Sequence, residues 1–320
     1  MRYKKDGARR HHQIFNLHSS IFNSGLPGLG ISPMSSPIPF YKYHALGNDY
    51  IVLNPAEAGE SLTSESIQLI CHRNFGIGSD GILLGPMKKA PQSEFALKIF
   101  NPDGSQAEKS GNGLRIFTRY LWDNGLIGSD RVTIQTDGGI VSAQVYEDGR
   151  LISVDMGTVS FDSRIIPVAG PEREVINEKM EVNDQTIKFC AATIGNPHCV
   201  ILKPEISASE ARELGPLIEN EPRFPNRTNV QFMKILDRTN IQIEIWERGA
   251  GYTLASGSSS SAAAAVAHRL GLCDGQITVH MPGGEIEIKI AEDFAVSMTG
   301  PVTRVAEGVL YPEMFGQNVD

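Results

Sequence analysis

The amino-acid sequence predicts an α/β protein, in the broad sense that includes α+β folds, with two similar halves. Residues 101–115 (NPDGSQAEKSGNGLR) and 247–262 (ERGAGYTLASGSSSSA) each contain a glycine-rich polar loop, a Ser-Gly pair and then a run of helical character. Apolar residues spaced by three and four follow Ser110, and a run of alanines follows Ser256; both patterns favour helix. Strand, loop and helix patterns recur in the same order, which indicates an internal duplication with its active cleft between the halves.

Length, charge and cysteine usage limit the function classes. A chain of 320 residues can bury a large core and commonly forms two domains. No apolar run approaches the roughly 20 residues that cross a bilayer, and a net charge of -8 disfavours nucleic acid as a partner. The four cysteines lack metal-type or paired spacing. We therefore predict a reduced, cytoplasmic protein with no metal site, no membrane association and no nucleic-acid partner.

Residues 1–37 differ from the rest of the chain. They contain five basic residues against one acidic residue, and they become rich in Ser, Gly and Pro. This composition predicts a poorly ordered or non-native extension. The segment lacks the apolar core of a secretory signal. A transit peptide and a translation start at Met34 both remain open.

The first half is predicted to begin with two strands around a tight loop at residues 44–49. The GxGxxG pattern at 76–81 is not a dinucleotide site, because a helix precedes it and a strand follows it, the reverse of the required order. Asn124-Gly125 is a typical helix stop, and Asp137–Gly139 a typical hairpin turn. The predicted elements are strands in 38–53, helix 64–73, strands 82–84 and 95–100, helix 112–124, and strands 132–136, 140–145 and 151–156.

The second half repeats this order from about Gly157. Ser207 or Ser209 can cap its first helix, and Pro282-Gly283-Gly284 forms a hairpin turn. The predicted elements are strands 186–193 and 199–202, helix 207–217, strands 228–233 and 241–246, a helix after Ser256, strands 277–281 and 285–290, and a last strand at 302–310.

Polar residues beside Gly or Pro at the strand ends indicate a small-molecule site. An Arg can hold a carboxylate through two hydrogen bonds, Glu and side-chain amides can hold an ammonium group, and helix N-termini attract anions. Together these groups suit a free amino acid. The alternative is that the Asn-rich loops are turns and Glu247-Arg248 a surface pair. The residues concerned are Asn48, Asn101, Asn112, Asn196, Asn229, Glu247 and Arg248.

Seven motifs, in order, resemble the diaminopimelate epimerase family over roughly residues 38–316. They are HALGND (44–49), FNPDG (100–104), SGNGLR (110–115), GNPHCV (195–200), RTNVQFM (227–233), WERGAG (246–251) and MTGP (298–301). The resemblance implies two domains, 38–154 with 301–316 and 155–300. Each domain wraps a mostly antiparallel sheet around a central helix, and the final strand returns to the first domain.

The resemblance also implies a cofactor-free reaction, in which one base removes the Cα proton and an acid on the opposite face returns one. Glu247 and Arg248 would hold the amino and carboxylate groups of the substrate. The pocket would be lined by Asn48, Asn101, Asn196 and Asn229, with helix-end N–H donors from Gly111, Asn112, Gly257 and Ser258. The resemblance implies a small-molecule amino acid as the substrate, and a homodimer is possible.

The chain departs from the family at both catalytic positions, where Ser110 and Ser256 replace cysteines. A thiol at a helix N-terminus can become a useful thiolate, whereas a serine needs an adjacent base. Glu108 and Lys109 are the nearest candidates for that base. A milder departure is Gly81, where some family members have a glutamine.

Several explanations of the serine pair remain open at this stage. The chain is a serine variant that still epimerises diaminopimelate, a racemase for another amino acid, an amino-acid-binding pseudoenzyme, or a protein with introduced serines. Both serines could also act simply as helix caps. A serine hydrolase is disfavoured because neither an SxxK motif nor a GxSxG elbow surrounds either serine.

Overall fold

The computed structural model describes residues 36–59, 62–87 and 92–316. The predicted extension at 1–37 lies outside the described residues except for its last two positions. No helix of the described ranges is both long and apolar enough to cross a membrane. The four cysteines are buried and unpaired, as expected for a reduced protein.

Strands dominate the described chain. In chain order they are β1 (Ile38–Ala45), β2 (Asn48–Leu53), β3 (Ile82–Met87), β4 (Phe95–Phe100), β5 (Gln106–Ala107), β6 (Val132–Thr136), β7 (Gly139–Tyr146), β8 (Leu151–Thr158), β9 (Glu178–Val182), β10 (Gln185–Thr193), β11 (Pro197–Leu202), β12 (Asn229–Asp237), β13 (Asn240–Glu247), β14 (Gly251–Thr253), β15 (Gln276–Met281), β16 (Gly284–Ile290), β17 (Ala295–Pro301) and β18 (Thr303–Leu310).

The α-helices are few and lie between strands in both halves. They are α1 (Pro55–Ala58), α2 (Ser64–Cys71), α3 (Gly111–Asp123), α4 (Ala208–Glu219) and α5 (Gly257–Arg269). The predicted helices at 64–73, 112–124 and 207–217 are confirmed to within two residues at each end. The short strands β5, β9 and β14, and the longer strand β17, were not predicted.

Strand pairing confirms the internal duplication. In the first half the pairs β1–β2, β3–β4, β6–β7 and β7–β8 are antiparallel, and the pairs β2–β3 and β4–β6 are parallel. In the second half the corresponding pairs β10–β11, β12–β13, β15–β16 and β16–β17 are antiparallel, and β11–β12 and β13–β15 are parallel. The small strands β5 and β14 branch from equivalent positions, on β4 and β13. The mixed, mostly antiparallel sheet is therefore one eight-strand plan used twice.

Two further antiparallel pairings connect the two copies of this eight-strand plan. Strand β8 pairs with β17, which joins the two halves into one continuous sheet. Strand β18 returns to pair with β1, so the prediction that the final strand rejoins the first half is confirmed. The domain limits 38–154 with 301–316 and 155–300 stay a prediction.

Helices α3 and α5 are the central helices of the two halves. Helix α3 packs against strands β1, β2, β3, β7 and β8, and α5 packs against β10 to β13 and β15 to β17. Residues 262–267 of α5 are all buried, and five of these six residues are alanine. Small side chains let a helix sit inside a curled sheet, because its backbone can approach the strands on every side.

Helices α2 and α4 cover the outer faces of the sheet. Alternate residues of β2 show the two faces, since Val52 packs in the core around α3 and Ile51 packs in the core beneath α2, as expected for a strand. Each half therefore has a helix inside its sheet and a helix outside it.

Overpacking α5 should destabilise the fold. We predict that Ala264→Leu lowers the free energy of unfolding by about 1–3 kcal/mol, because no space is available around this fully buried position. Ser209→Leu, on the exposed face of α4, is the matched control and should change it by less than about 0.5 kcal/mol. Urea unfolding followed by circular dichroism measures both, and equal effects would contradict the buried position of α5.

Candidate active site

The N-termini of α3 and α5 meet head to head. A Cβ atom placed on Gly257 would lie 3.8 Å from the Cα of Gly111. Both glycines pack on Met298, since the same added atom would lie 2.6 Å from Met298 Sδ, and one on Gly111 would lie 2.7 Å from Met298 Cε. A side chain at either helix start would require the end of this methionine to move.

Both serines cap their helices, as the sequence allowed. Ser110 Oγ accepts a hydrogen bond from Gly113 N at 3.0 Å, and Ser256 Oγ accepts one from Ser259 N at 3.4 Å. Within the described part of the chain, no hydrogen bond occupies the backbone N–H groups of the first two residues of either helix. Two sets of free donors therefore lie close together, an arrangement suited to an anion.

The duplication places the predicted site residues at equivalent points of the two halves. Asn48 and Asn196 each follow a glycine of positive φ, 91° at Gly47 and 108° at Gly195. Asn48 is the first residue of β2, and Asn196 immediately precedes β11. Positive φ is a conformation that glycine adopts without strain. The two asparagines therefore enter the site from equivalent tight turns.

Two further positions correspond through strand register. In the first half Ile82 pairs with Phe100; Gly81 comes just before this pair and Asn101 just after it. In the second half Val230 pairs with Trp246; Asn229 comes just before this pair and Glu247 just after it. The predicted site residues thus form matched pairs across the two halves. The pairs are Asn48 with Asn196, Gly81 with Asn229, Asn101 with Glu247, and Ser110 with Ser256.

A hydrogen-bonded chain connects the first-half residues. Asn112 Nδ2 donates to Asn48 Oδ1 at 3.0 Å, and Asn48 Nδ2 donates to Asp80 Oδ2 at 3.0 Å. Arg115, which is fully buried, donates to Asn112 Oδ1 at 2.6 Å, and burial lowers the pKa of this arginine to about 10. The sequence reasoning missed Asp80 and Arg115, although both lie inside motifs that it singled out.

The second-half residues are connected in the same way. Asn196 Nδ2 donates to Ser258 Oγ at 3.4 Å. Asn229 Oδ1 accepts from the backbone N–H of Arg248 at 3.0 Å, and the Arg248 guanidinium donates to Asn226 O at 2.9 Å. Asn101 is the exception among the predicted residues: its side chain donates locally to Ser105 Oγ at 3.0 Å, and no described hydrogen bond joins it to another site residue.

The two serines have different partners. Tyr50 Oη lies 3.2 Å from Ser110 Oγ, whereas the Glu247 carboxylate lies near the Ser256 hydroxyl without a geometric hydrogen bond between the two in the described part of the chain. Burial raises the pKa of Glu247, and the negative charge of Asp80 adds to this while the Ser256 hydroxyl opposes it. A carboxyl group with a raised pKa next to a serine is a candidate proton acceptor.

The candidate bases nearest to Ser110 in sequence make other contacts or lie outside the site. Lys109 Nζ donates to the carbonyl of Met156 at 2.6 Å, and burial lowers the pKa of this lysine. Glu108 is exposed. Tyr50 and Glu247, rather than Glu108 and Lys109, therefore face the two serines.

One buried carboxylate holds the loop that carries Glu247 and Arg248. Glu219, at the end of α4, accepts from Trp246 Nε1 at 2.7 Å, from Gly249 N at 3.0 Å and from Arg227 at 2.9 Å. The sequence gives no local signal for this role, because Glu219 lies nearly 30 residues before the loop that it holds.

A surface groove of about 450 Å³ lies elsewhere on the sheet and contains none of the predicted site residues. It is lined in part by Ser153, Ser297 and Thr299. These residues alternate along β8 and β17 with Met156 and Met298, so they point to the opposite face from the helix N-termini.

The described residues also include no group of three or more His, Cys, Asp or Glu side chains able to hold a metal ion.

Removing the Glu219 carboxylate should loosen the loop at 246–249. We predict that Glu219→Ala lowers the free energy of unfolding by about 2 kcal/mol, because Trp246 Nε1, Gly249 N and Arg227 lose their hydrogen bonds to a charged, buried acceptor. Glu213→Ala, on the exposed face of the same helix, should have almost no effect. Chemical denaturation of the two variants makes the comparison, and a neutral Glu219→Ala would contradict the role of this carboxylate.

Two known proteins are similar in sequence to most of this chain. The chain is 64% identical over 276 residues to diaminopimelate epimerase 2 of Nostoc sp., covering 86% of this chain and 96% of the relative. It is 37% identical over 274 residues to diaminopimelate epimerase of Moorella thermoacetica, covering 84% and 98% respectively.

Solved structures with low sequence identity share the fold. A hydroxyproline epimerase from Agrobacterium vitis has a TM-score of 0.65 at 15% identity, covering 87% of this chain and 93% of its own. A PhzF-family phenazine biosynthesis protein from Bacillus anthracis has a TM-score of 0.62 at 17% identity, covering 86% and 99%. At these identities the likeness concerns the fold alone.

The family comparison covers both halves of the molecule. Residues 40–161 and 190–305 match the diaminopimelate epimerase family. These ranges include the caps and first turns of both central helices and the strand ends that carry the asparagines. The chain therefore belongs to the diaminopimelate epimerase family.

Proposed function

We propose that this protein epimerises an α-amino acid without a cofactor, converting LL-diaminopimelate to meso-diaminopimelate. The observation that carries the proposal is the head-to-head approach of the two central helices at Gly111 and Gly257. It brings a serine from each half to one place, with free N–H donors between them. The close relatives named diaminopimelate epimerase support the choice of substrate.

The groups around the helix N-termini suit the zwitterionic end of an amino acid. The free N–H groups of Gly111, Asn112, Gly257 and Ser258 would hold the carboxylate, with Arg248 as a further cation. Glu247 and the amides of Asn48, Asn196 and Asn229 would hold the ammonium group. Asn101 would join them at the rim once its local bond to Ser105 is exchanged for one to substrate.

Ser110 and Ser256 would face the Cα atom from opposite sides. In the forward step the Cα–H bond breaks and its proton passes to the Ser256 side, while Ser110 gives a proton to the other face. A general acid or base contributes roughly 10²–10⁴ in rate, and a serine is a weaker proton carrier than a thiolate at neutral pH. We therefore expect turnover that is slow for this family.

Two alternatives share the same pocket. In the first, the protein binds an amino acid without turnover, and the observation that favours it is that both hydroxyl oxygens already serve as helix caps. In the second, it is a racemase for a different amino acid. Diaminopimelate and other amino acids differ in the side chain beyond Cα, so recognition of that side chain would decide which of them is the substrate.

The cellular compartment and the partners of the protein are also proposals. Unpaired, buried cysteines suit a reducing compartment, so we place the protein in the cytoplasm. Its partner would be the small-molecule substrate. A homodimer stays a prediction, to be checked by sedimentation.

Proton exchange at Cα tests the proposed activity. In D₂O, we predict that the protein replaces the Cα proton of LL- and meso-diaminopimelate with deuterium at a rate proportional to enzyme concentration, because epimerisation removes that proton. Proton NMR measures the loss of the Cα signal, and a panel of other amino acids tests selectivity. Binding without exchange would favour the non-catalytic alternative, and absence of binding by any amino acid would contradict both.

Restoring thiols tests the site geometry. We predict that the double variant Ser110→Cys and Ser256→Cys exchanges the Cα proton at least about 100-fold faster than the parent chain, because each thiol can ionise at a helix N-terminus. Ser209→Cys, on the exposed face of α4, is the control and should leave the rate unchanged. A folded double variant with no gain would mean that the two positions do not flank the substrate.

A further inference from the structure

The duplication gives the two serines unequal neighbours. Tyr50 stands two residues after Asn48, and His198 stands two residues after Asn196, so they occupy equivalent positions in the two halves. Tyr50 reaches Ser110. His198 instead hydrogen-bonds to Asn196 Oδ1 at 3.0 Å and leaves Ser256 to Glu247.

Gly81 creates the space that Tyr50 uses. A Cβ atom on residue 81 would lie 2.6 Å from Cε1 of the Tyr50 ring and 2.5 Å from the carbonyl oxygen of Phe100. A side chain at position 81 would therefore displace the ring and break the contact between Tyr50 and Ser110. Gly81 and Tyr50 act as a pair, and the glycine is more than a mild substitution.

Tyr50 is a hydrogen-bond donor throughout the neutral range. Burial raises its pKa to about 12, and the nearby charges of Glu247 and Asp80 act in the same direction. Its phenol therefore keeps its proton, and its O–H can be directed at Ser110 Oγ. That oxygen already accepts from Gly113 N. Either hydroxyl can donate in the contact between Tyr50 and Ser110, and with the phenol as donor two donors converge on one serine.

Ser256 has the opposite environment. The Glu247 carboxylate next to it can accept a proton but cannot donate one while ionised. One half thus offers a serine backed by a donor, and the other half offers a serine backed by an acceptor.

We propose that Tyr50 is a positioning residue that makes Ser110 the proton-donating face of the site, while Ser256 beside Glu247 forms the proton-accepting face. This inference rests on the proposed function. It gives the two faces different roles in the resting protein, although the fold repeats the same serine-capped helix on both sides.

In the proposed reaction the Cα–H bond breaks, its proton moves to Ser256 Oγ, and the proton of Ser256 moves to one oxygen of Glu247. Glu247 becomes a neutral acid, and its other oxygen still accepts from the substrate ammonium group. On the other face the Ser110 O–H bond breaks and its proton forms the new bond to Cα. As Ser110 Oγ gives up its proton, the Tyr50 phenol, which is a stronger acid than the serine hydroxyl, passes its own proton to that oxygen. Solvent then returns a proton to Tyr50 and takes one from Glu247. The reverse reaction uses the same groups in the opposite order.

A comparison of Tyr50→Phe in two backgrounds tests the inference. In the natural Ser110/Ser256 chain, we expect kcat for Cα exchange to fall about tenfold or more with KM little changed, part of the roughly 10²–10⁴ that a general acid supplies. In the Ser110→Cys, Ser256→Cys background, the loss should be under about threefold, because a thiol gives up its proton without help from a phenol.

Tyr43→Phe is the matched control. Tyr43 pairs with Tyr50 in the sheet, and its buried hydroxyl bonds to Asp123 at 2.9 Å, so the variant loses a phenol hydrogen bond away from the serines. It should lower stability without the background-dependent loss of kcat.

Each outcome decides the inference. Equal losses in the two backgrounds would assign Tyr50 a structural role and overturn it, as would the absence of a loss in the natural chain. A natural chain that binds diaminopimelate by calorimetry without exchanging its Cα proton would also overturn it. Absence of calorimetric binding would instead be a failure of the proposed function itself.

Discussion

The close approach of two helix N-termini is the constraint on which this structure depends. Gly111 and Gly257 approach each other closely, and the end of the Met298 side chain fills the space that a Cβ atom on either glycine would need. The two helices bring partial positive charge to one point, an arrangement that would be unfavourable without an anionic ligand or compensating carboxylates. Asp80 and Glu247 are acidic groups of the network around them.

The duplication explains how such a site arises from one repeated plan. Each half contributes an asparagine after a tight turn, a residue at the start of the parallel strand pair, a residue at the end of the next strand and a serine-capped helix. Yet the equivalent residues differ in chemistry: Asn101 corresponds to Glu247, and Gly81 to Asn229. A symmetric fold therefore produces an asymmetric site, as a reaction that removes a proton on one face and adds it on the other requires.

The sequence predicted the fold class, the duplication and the main helices, because these follow from local patterns such as the apolar spacing after Ser110. It also predicted both serine caps. It missed the contacts that depend on strand register or on distant packing. Tyr50 lies 60 residues from Ser110, and Glu219 lies 27 residues from Trp246. No local pattern relates such pairs. The candidate bases taken from the sequence next to Ser110 were Glu108 and Lys109, whereas the side chain that contacts this serine is Tyr50, from β2.

The most direct test of the account is a crystal structure of the protein with meso-diaminopimelate bound. The account predicts that the Cα atom lies between the hydroxyl oxygens of Ser110 and Ser256, with the carboxylate on the free N–H groups of the two central helices. A ligand seated in the groove on the opposite face of β8 and β17, or with its Cα atom facing only one serine, would contradict it.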